Sequence, residues 1–175
     1  MKNEYDIDIN TDSILLAIDA STKSTGIAIF KNHKLFYQTC IQATDEDVFN
    51  RIKFMCVKIN SLIMEYNVTD IVIEDVIPED VQGNNKVFKT LMYLQGFIYE
   101  ICNHHNLKPT FYVASHWRKL CGIKTGKVKR DTLKAAAIQY VKENENIIVN
   151  DDVADAICLG YAYLQEHEEE NLNWE

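Results

Sequence analysis

An α/β fold is predicted: a five-stranded mixed sheet, three antiparallel strands followed by parallel ones, flanked by helices. Three observations predict it. Short apolar runs separated by turn residues fill the stretch from position 13 to 41. Helical spacing then alternates with further apolar runs, the mark of parallel strands joined by helical crossovers. A last helical pattern begins at Asp152.

Each element follows from its own chemistry. Residues 13–19 form a buried strand, and Gly26-Ile27-Ala28-Ile29-Phe30 a second. Asn32-His33-Lys34 is a turn, and residues 35–41 are a third strand, so short connections make a meander. Residues 46–67 place Val48, Ile52, Met55, Val57, Ile59, Leu62 and Ile63 at helical spacing, with Thr44-Asp45 as the start signal. Residues 70–76 form a strand that returns parallel to the first. A second long helix covers 85–105, and a fifth strand 110–114. Ser115 is placed to cap a short helix over 116–121, and 122–126 is a loop. Helices follow over 129–143 and from 152 to about 166.

The length fits one domain over residues 13–165, with a polar extension at 1–12 and an acidic tail at 166–175. The five cysteines are scattered without a C-x-x-C pair, which fits reduced thiols in a cytoplasmic protein rather than a disulfide framework or a zinc site. The start of the chain is too polar for a signal peptide, and no apolar run approaches a membrane span. The net charge of −8 is uneven. Residues 1–12 carry −3 and residues 166–175 carry −5, which leaves 13–165 neutral. Within that neutral part, Arg118, Lys119, Lys124, Lys127, Lys129, Arg130 and Lys134 stand against the single acid Asp131, a local stripe of the kind that tracks phosphates. A solvated helix face has the same composition.

Four acids carry the chemistry. Asp19 ends the apolar run 14–18, and Glu74 ends the run 71–73. Asp152 and Asp155 share a helix face at a spacing of three. Brought together, they would make an all-oxygen pocket for Mg²⁺ or Mn²⁺, the setting of metal-dependent phosphodiester hydrolysis. Asp151 competes with Asp152 for the fourth place, because 151 and 155 also share a face, and an Asp at a helix start also serves as a cap. A strand-end acid among apolar neighbours is costly to desolvate without a partner.

The element order matches the ribonuclease-H-like fold, and the motifs resemble the RuvC family of Holliday-junction resolvases. Ile18-Asp19-Ala20-Ser21-Thr22-Lys23-Ser24-Thr25-Gly26 resembles that family's first motif, Val72-Ile73-Glu74-Asp75-Val76 its second, and Asp152-Val153-Ala154-Asp155-Ala156 its D-x-x-D-A motif. Asn84-Asn85-Lys86, with Leu91, Leu94 and Gly96, resembles the helix after the second motif. Trp117-Arg118-Lys119 and Gly126-Lys127-Val128-Lys129-Arg130 are closer to the forms carried by phages and prophages.

The resemblance implies that Asp19, Glu74, Asp152 and Asp155 bind two Mg²⁺ ions, with Mn²⁺ as the alternative. It implies paired nicks in four-way and other branched DNA that leave 5′-phosphates, made by a homodimer in a bacterial cytoplasm from a phage or prophage gene. Lys23, Arg118, Lys127, Lys129 and Arg130 are the DNA-binding candidates. Cellular members carry an aromatic junction wedge after the second motif. Here Ile77 stands nearest that place, and Glu79 and Asp80 in the same loop would repel phosphate, which points to a broader branched-DNA preference. Two other readings share the fold: an RNA–DNA hybrid nuclease and a non-catalytic junction-binding protein. An actin-like kinase needs a second domain and a Gly-rich adenosine motif that a 175-residue chain with six glycines does not offer. His104-His105 reads as a helix end, and Phe111, Tyr112 and Trp117 read as packing residues.

Overall fold

The computed structural model describes residues 12–78 and 84–172, with only the backbone described for 169–172. The elements are β1 (Ile14–Asp19), β2 (Ser24–Lys31), β3 (Lys34–Gln42), α1 (Val48–Tyr66), β4 (Asp70–Asp75), α2 (Asn85–His104), β5 (Thr110–Val113), α3 (Ala114–Leu120), α4 (Arg130–Glu145) and α5 (Asp151–Leu172). The sheet order is β3-β2-β1-β4-β5, with the first three strands antiparallel and β1, β4 and β5 parallel. This is the predicted architecture.

Alternation along the strands builds two cores. Ile14, Leu16 and Ile18 of β1, with Ile27 and Ile29 of β2, pack under α1 and α2. Leu15 and Ala17, with Ala28, Phe30 and Val72, pack under α3, α4 and α5. Every buried strand therefore reads as continuously apolar, because each face has its own helical layer. The Asn32-His33 turn closes β2 onto β3 with both residues at positive φ, as a two-residue hairpin requires.

Several boundaries differ from expectation. β2 begins at Ser24, two residues before Gly26, because its pairing with β3 extends to Ser24↔Gln42. α1 is capped by Asp47, whose carboxylate accepts the Phe49 and Asn50 N–H groups, rather than by Thr44-Asp45. Val57 on that helix is exposed, so the buried stripe is Ile52, Met55, Ile59, Leu62 and Ile63. α3 starts at Ala114 without a side-chain cap, so Ser115 lies inside it. α5 runs to Leu172, past the expected end near 166. The continuation is held by distant partners: Glu166 accepts from the Tyr112 hydroxyl, and Glu168 pairs with His33 at 2.7 Å.

Candidate active site

Strand parity decides where the acids face. Leu15, Ala17 and Val72 point into the layer beneath α5, and side chains two apart share a face. Asp19 and Glu74 continue those rows. The parallel register Ala17↔Val72, Ile18↔Ile73 brings the two acids out side by side at the strand ends. α5 crosses the same face and supplies Asp152 and Asp155 from its first turns.

The start of α5 is capped by Asn150, whose Oδ1 accepts the Val153 N–H at 2.9 Å, so neither aspartate serves as the cap. Asp151 pairs with Lys134, and Asp152 accepts from the Ser24 hydroxyl. The two acids differ in their partners: Asp151 pairs with Lys134 of α4 and adds to the field at Asp155, while Asp152 turns toward β2 and adds to the field at Asp19. Gly26 permits this approach. A Cβ there would stand 1.9 Å from the backbone oxygen of Asp152.

Glu74 is held at both ends. Its Oε2 accepts the indole N–H of Trp117 at 2.7 Å, and its main-chain oxygen accepts from Gln95 Nε2 at 2.8 Å. Trp117 is fully buried, so the expected packing role stands beside a polar one. The turn after Asp19 is pinned by Thr25, whose hydroxyl donates to Ser21 O at 2.5 Å and accepts the Ser21 N–H at 3.1 Å.

The electrostatics are those of crowded, poorly solvated negative charge. Burial raises the Asp19 carboxyl well above its ordinary range, and Glu74, Asp155 and Asp152 raise it further, opposed by Arg118. Burial and then Glu74 push Asp155 up to about 7, again opposed by Arg118. Arg118 Nη2 lies 3.7 Å from Asp155 Oδ2. Asp155 Oδ1 and Arg118 Nε are both buried without a hydrogen-bond partner.

Among the described residues, no three His, Cys, Asp or Glu side chains stand as a closed ligand shell. The acids share a field rather than a shell. Their donors are nonetheless all carboxylate, the set hard divalent cations take, and Asp155 Oδ1 is a buried acceptor with no donor. The residues fit such an ion.

A consequence for stability follows without any metal. An unfolded carboxyl near 3.8 releases its proton well before the folded Asp155 near 7. Between those values the folded state holds more protons, so stability falls as pH rises. The metal-free protein is expected to melt at a higher temperature at pH 5 than at pH 8 in calorimetry. Equal melting at both would refute the buried charge cluster.

The basic residues do not form one surface. Arg118 points into the acid cluster and stacks on Trp117, 4.6 Å from the ring centroid. Lys127, Lys129 and Arg130 are exposed around the start of α4. Lys23 lines a cleft of about 590 Å³ on the other side of the sheet, with Arg51 and Lys86. Lys134 is engaged with Asp151 rather than free at the surface. Ile77 is half-buried, and Glu79 and Asp80 lie outside the described residues. His105 Nε2 meets Asn60 Oδ1 at 2.8 Å, and His104 stands 3.6 Å from Glu100, in keeping with a helix-end role.

Ser24, Gln95 and Trp117 are contacts of the acids that sequence reasoning missed. The alternation of β2 through Ala28 and Phe30 was the available signal for Ser24. An amide at a helical position otherwise filled by apolar residues was the signal for Gln95.

Comparison with solved structures finds the same fold. Thermus thermophilus RuvC in complex with a Holliday junction substrate superposes with a TM-score of 0.74 at 9% identity, over 90% of this chain and 96% of that one. A second Thermus thermophilus RuvC structure gives 0.70 at 9% identity, with the same coverage. The yeast mitochondrial Holliday junction resolvase Ydc2 gives 0.58 at 14% identity, over 93% of this chain and 82% of that one. No curated protein matches the sequence. The family described as Lactococcus phage M3 protein matches residues 12–167, nearly the whole ordered sheet-and-helix unit, and the chain belongs to that family.

Proposed function

We propose that this protein is a divalent-metal-dependent, structure-selective endodeoxyribonuclease that nicks four-way junctions and other branched DNA. The observation that carries the reading is the convergence of Asp19, Glu74, Asp152 and Asp155, from two adjacent parallel strands and one crossing helix, on one crowded site where burial and neighbouring carboxylates hold the Asp19 and Asp155 carboxyls above their ordinary range. The junction-bound Thermus thermophilus protein of the same fold supports the choice of substrate.

Asp19, Glu74, Asp152 and Asp155 would hold two Mg²⁺ ions, with Mn²⁺ as the alternative. Bound there, such ions supply an acidified water and stabilise charge on the phosphate and the leaving 3′ oxygen, so the product carries a 5′-phosphate. The protein does the positioning. Trp117 and Gln95 fix Glu74, Ser24 orients Asp152, and the Thr25–Ser21 bonds hold the turn behind Asp19. Free thiols at all five cysteines accord with a reducing cytoplasm, and no described helix is long and apolar enough to cross a membrane.

Incubation of labelled four-way, three-way, RNA–DNA hybrid and linear duplexes, with and without Mg²⁺, tests the reading. Metal-dependent nicking of the branched substrates is expected. Cleavage of the hybrid alone identifies a hybrid nuclease, and binding without cleavage identifies a junction-binding protein.

Lys127 and Lys129 serve the DNA backbone in this reading. The double variant Lys127→Ala/Lys129→Ala is expected to weaken junction binding for every sequence. Each lost phosphate contact makes the negative slope of log K against log salt shallower by about 0.9. Wild-type affinity and slope in the double variant would make these lysines ordinary surface.

Paired nicks call for two sites, and a C₂ homodimer supplies them. On α2, Leu94 and Ile98 are fully buried in the chain's own core and cannot serve such an interface. Val87, Tyr93 and Phe97 are exposed on α2, with Phe49 of α1 6.0 Å from Tyr93. Sedimentation at micromolar concentration is expected to give twice the monomer mass, falling to one in Tyr93→Glu/Phe97→Glu. A monomer both free and on junction DNA would defeat the paired-nick reading.

A further inference from the structure

We infer that Arg118 is the resting counter-ion of the acidic pocket, and that a divalent cation enters by displacing it from Asp155. The inference rests on the metal-dependent reading above and adds a competitor built into the chain.

The contact is unusual in what it leaves undone. At 3.7 Å, Arg118 Nη2 and Asp155 Oδ2 make a charge contact but not a short, bidentate pair. Both side chains are well buried, at 18% and 12% exposed. Each keeps one buried polar atom unsatisfied, Nε on the arginine and Oδ1 on the aspartate. A buried ion pair recovers its desolvation cost only when the geometry is good and the remaining donors and acceptors are met. This pair meets neither condition.

Position explains why it nevertheless forms. α3 delivers two consecutive side chains to the cluster: Trp117 donates to Glu74, and Arg118 faces Asp155. The guanidinium lies against the Trp117 ring, which holds the side chain beside the carboxylates. Arg118 opposes the upward shift at both Asp19 and Asp155, and Lys134 adds a smaller opposing charge at Asp155 alone. Without it, four acids would share the site with that much less positive charge.

A divalent cation at Asp155 brings two charges where the guanidinium brings one, and it can use the orphaned Oδ1. Cation and guanidinium then repel each other across the same carboxylate. The displaced arginine carries a planar fork of donors suited to a phosphate oxygen pair. Arg118 is thus a positioning residue whose place depends on what the acids hold.

The test is Mn²⁺ titration of the full chain by calorimetry without DNA, in wild type, Arg118→Met and Arg118→Gln. Both variants are expected to bind Mn²⁺ roughly tenfold more tightly than wild type. Their metal-free melting temperatures are expected to fall, and the deficit to close at saturating Mn²⁺. Arg118→Gln keeps polar donors without charge, so the charge test stands even where Arg118→Met does not fold. Unchanged or weaker Mn²⁺ binding in the variants, with wild type binding normally, overturns the competitor role and leaves the nuclease reading intact. Absence of Mn²⁺ binding in wild type and variants overturns both.

Discussion

Asp19→Asn is expected to abolish cleavage and at the same time to stabilise the metal-free protein. Loss of one anionic ligand removes preorganised charge, an effect of about 10²–10³-fold or more on rate. The same change removes a carboxyl that burial and three neighbouring acids disfavour. At pH 8 the variant is therefore expected to unfold at a higher denaturant concentration than wild type. Glu74→Gln and Asp155→Asn are expected to lose cleavage likewise while retaining junction binding. Asp152→Asn should cost more activity than Asp151→Asn, because Asp151 is already spent on Lys134. Saturating Mg²⁺ should reverse the stability order, since wild type gains a ligand the Asp19→Asn variant holds poorly. Denaturant titration with and without Mg²⁺, beside a cleavage assay, checks each part. A variant that cleaves normally forfeits its place among the ligands.

Gly26→Ala is expected to be the most damaging single-methyl change among the described glycines. Its Cβ would meet the Asp152 carbonyl at 1.9 Å for oxygen and 2.4 Å for carbon. Those are backbone atoms and cannot rotate aside, so β2 and α5 must part. A loss of about 3 kcal/mol is expected, at the upper end of overpacking effects. The shift falls on the residue that carries an acid, so cleavage should drop by about 10²-fold even where the fold survives. Unfolding in urea and single-turnover nicking measure the two effects. Stability within about 0.5 kcal/mol of wild type, the range of an ordinary surface change, would mean that the two backbones are not in contact.

The sheet and the four acids were legible because their signals are local. Asp19 and Glu74 each end an unbroken apolar run, and a parallel crossover aligns such ends. The spacing of Asp152 and Asp155 needs only helical geometry. The contacts that hold the acids were not legible. Ser24 sits in what reads as a turn, and its direction depends on how far β2 pairs with β3. Arg118 reads as one charge in a run of seven until α3 packs on α5 and turns it inward. The last turns of α5 read as a solvated tail because Glu166 finds Tyr112 and His116, and Glu168 finds His33, residues far away in the chain. The α1 start reads as Thr44-Asp45, and Asp47, two residues on and just as able to accept backbone N–H groups, makes the cap instead.

The indole N–H of Trp117 on Glu74 has an optical consequence. The chain contains two tryptophans, and Trp117 is fully buried against a carboxylate of the acid cluster. An excited indole moves electron density across its ring, so its emission colour and yield respond to charge at its N–H. The protein therefore carries an intrinsic fluorophore wired to its acid cluster. With Trp174 replaced by Phe, ultraviolet emission alone becomes a label-free, real-time test of whether a cation enters at Glu74.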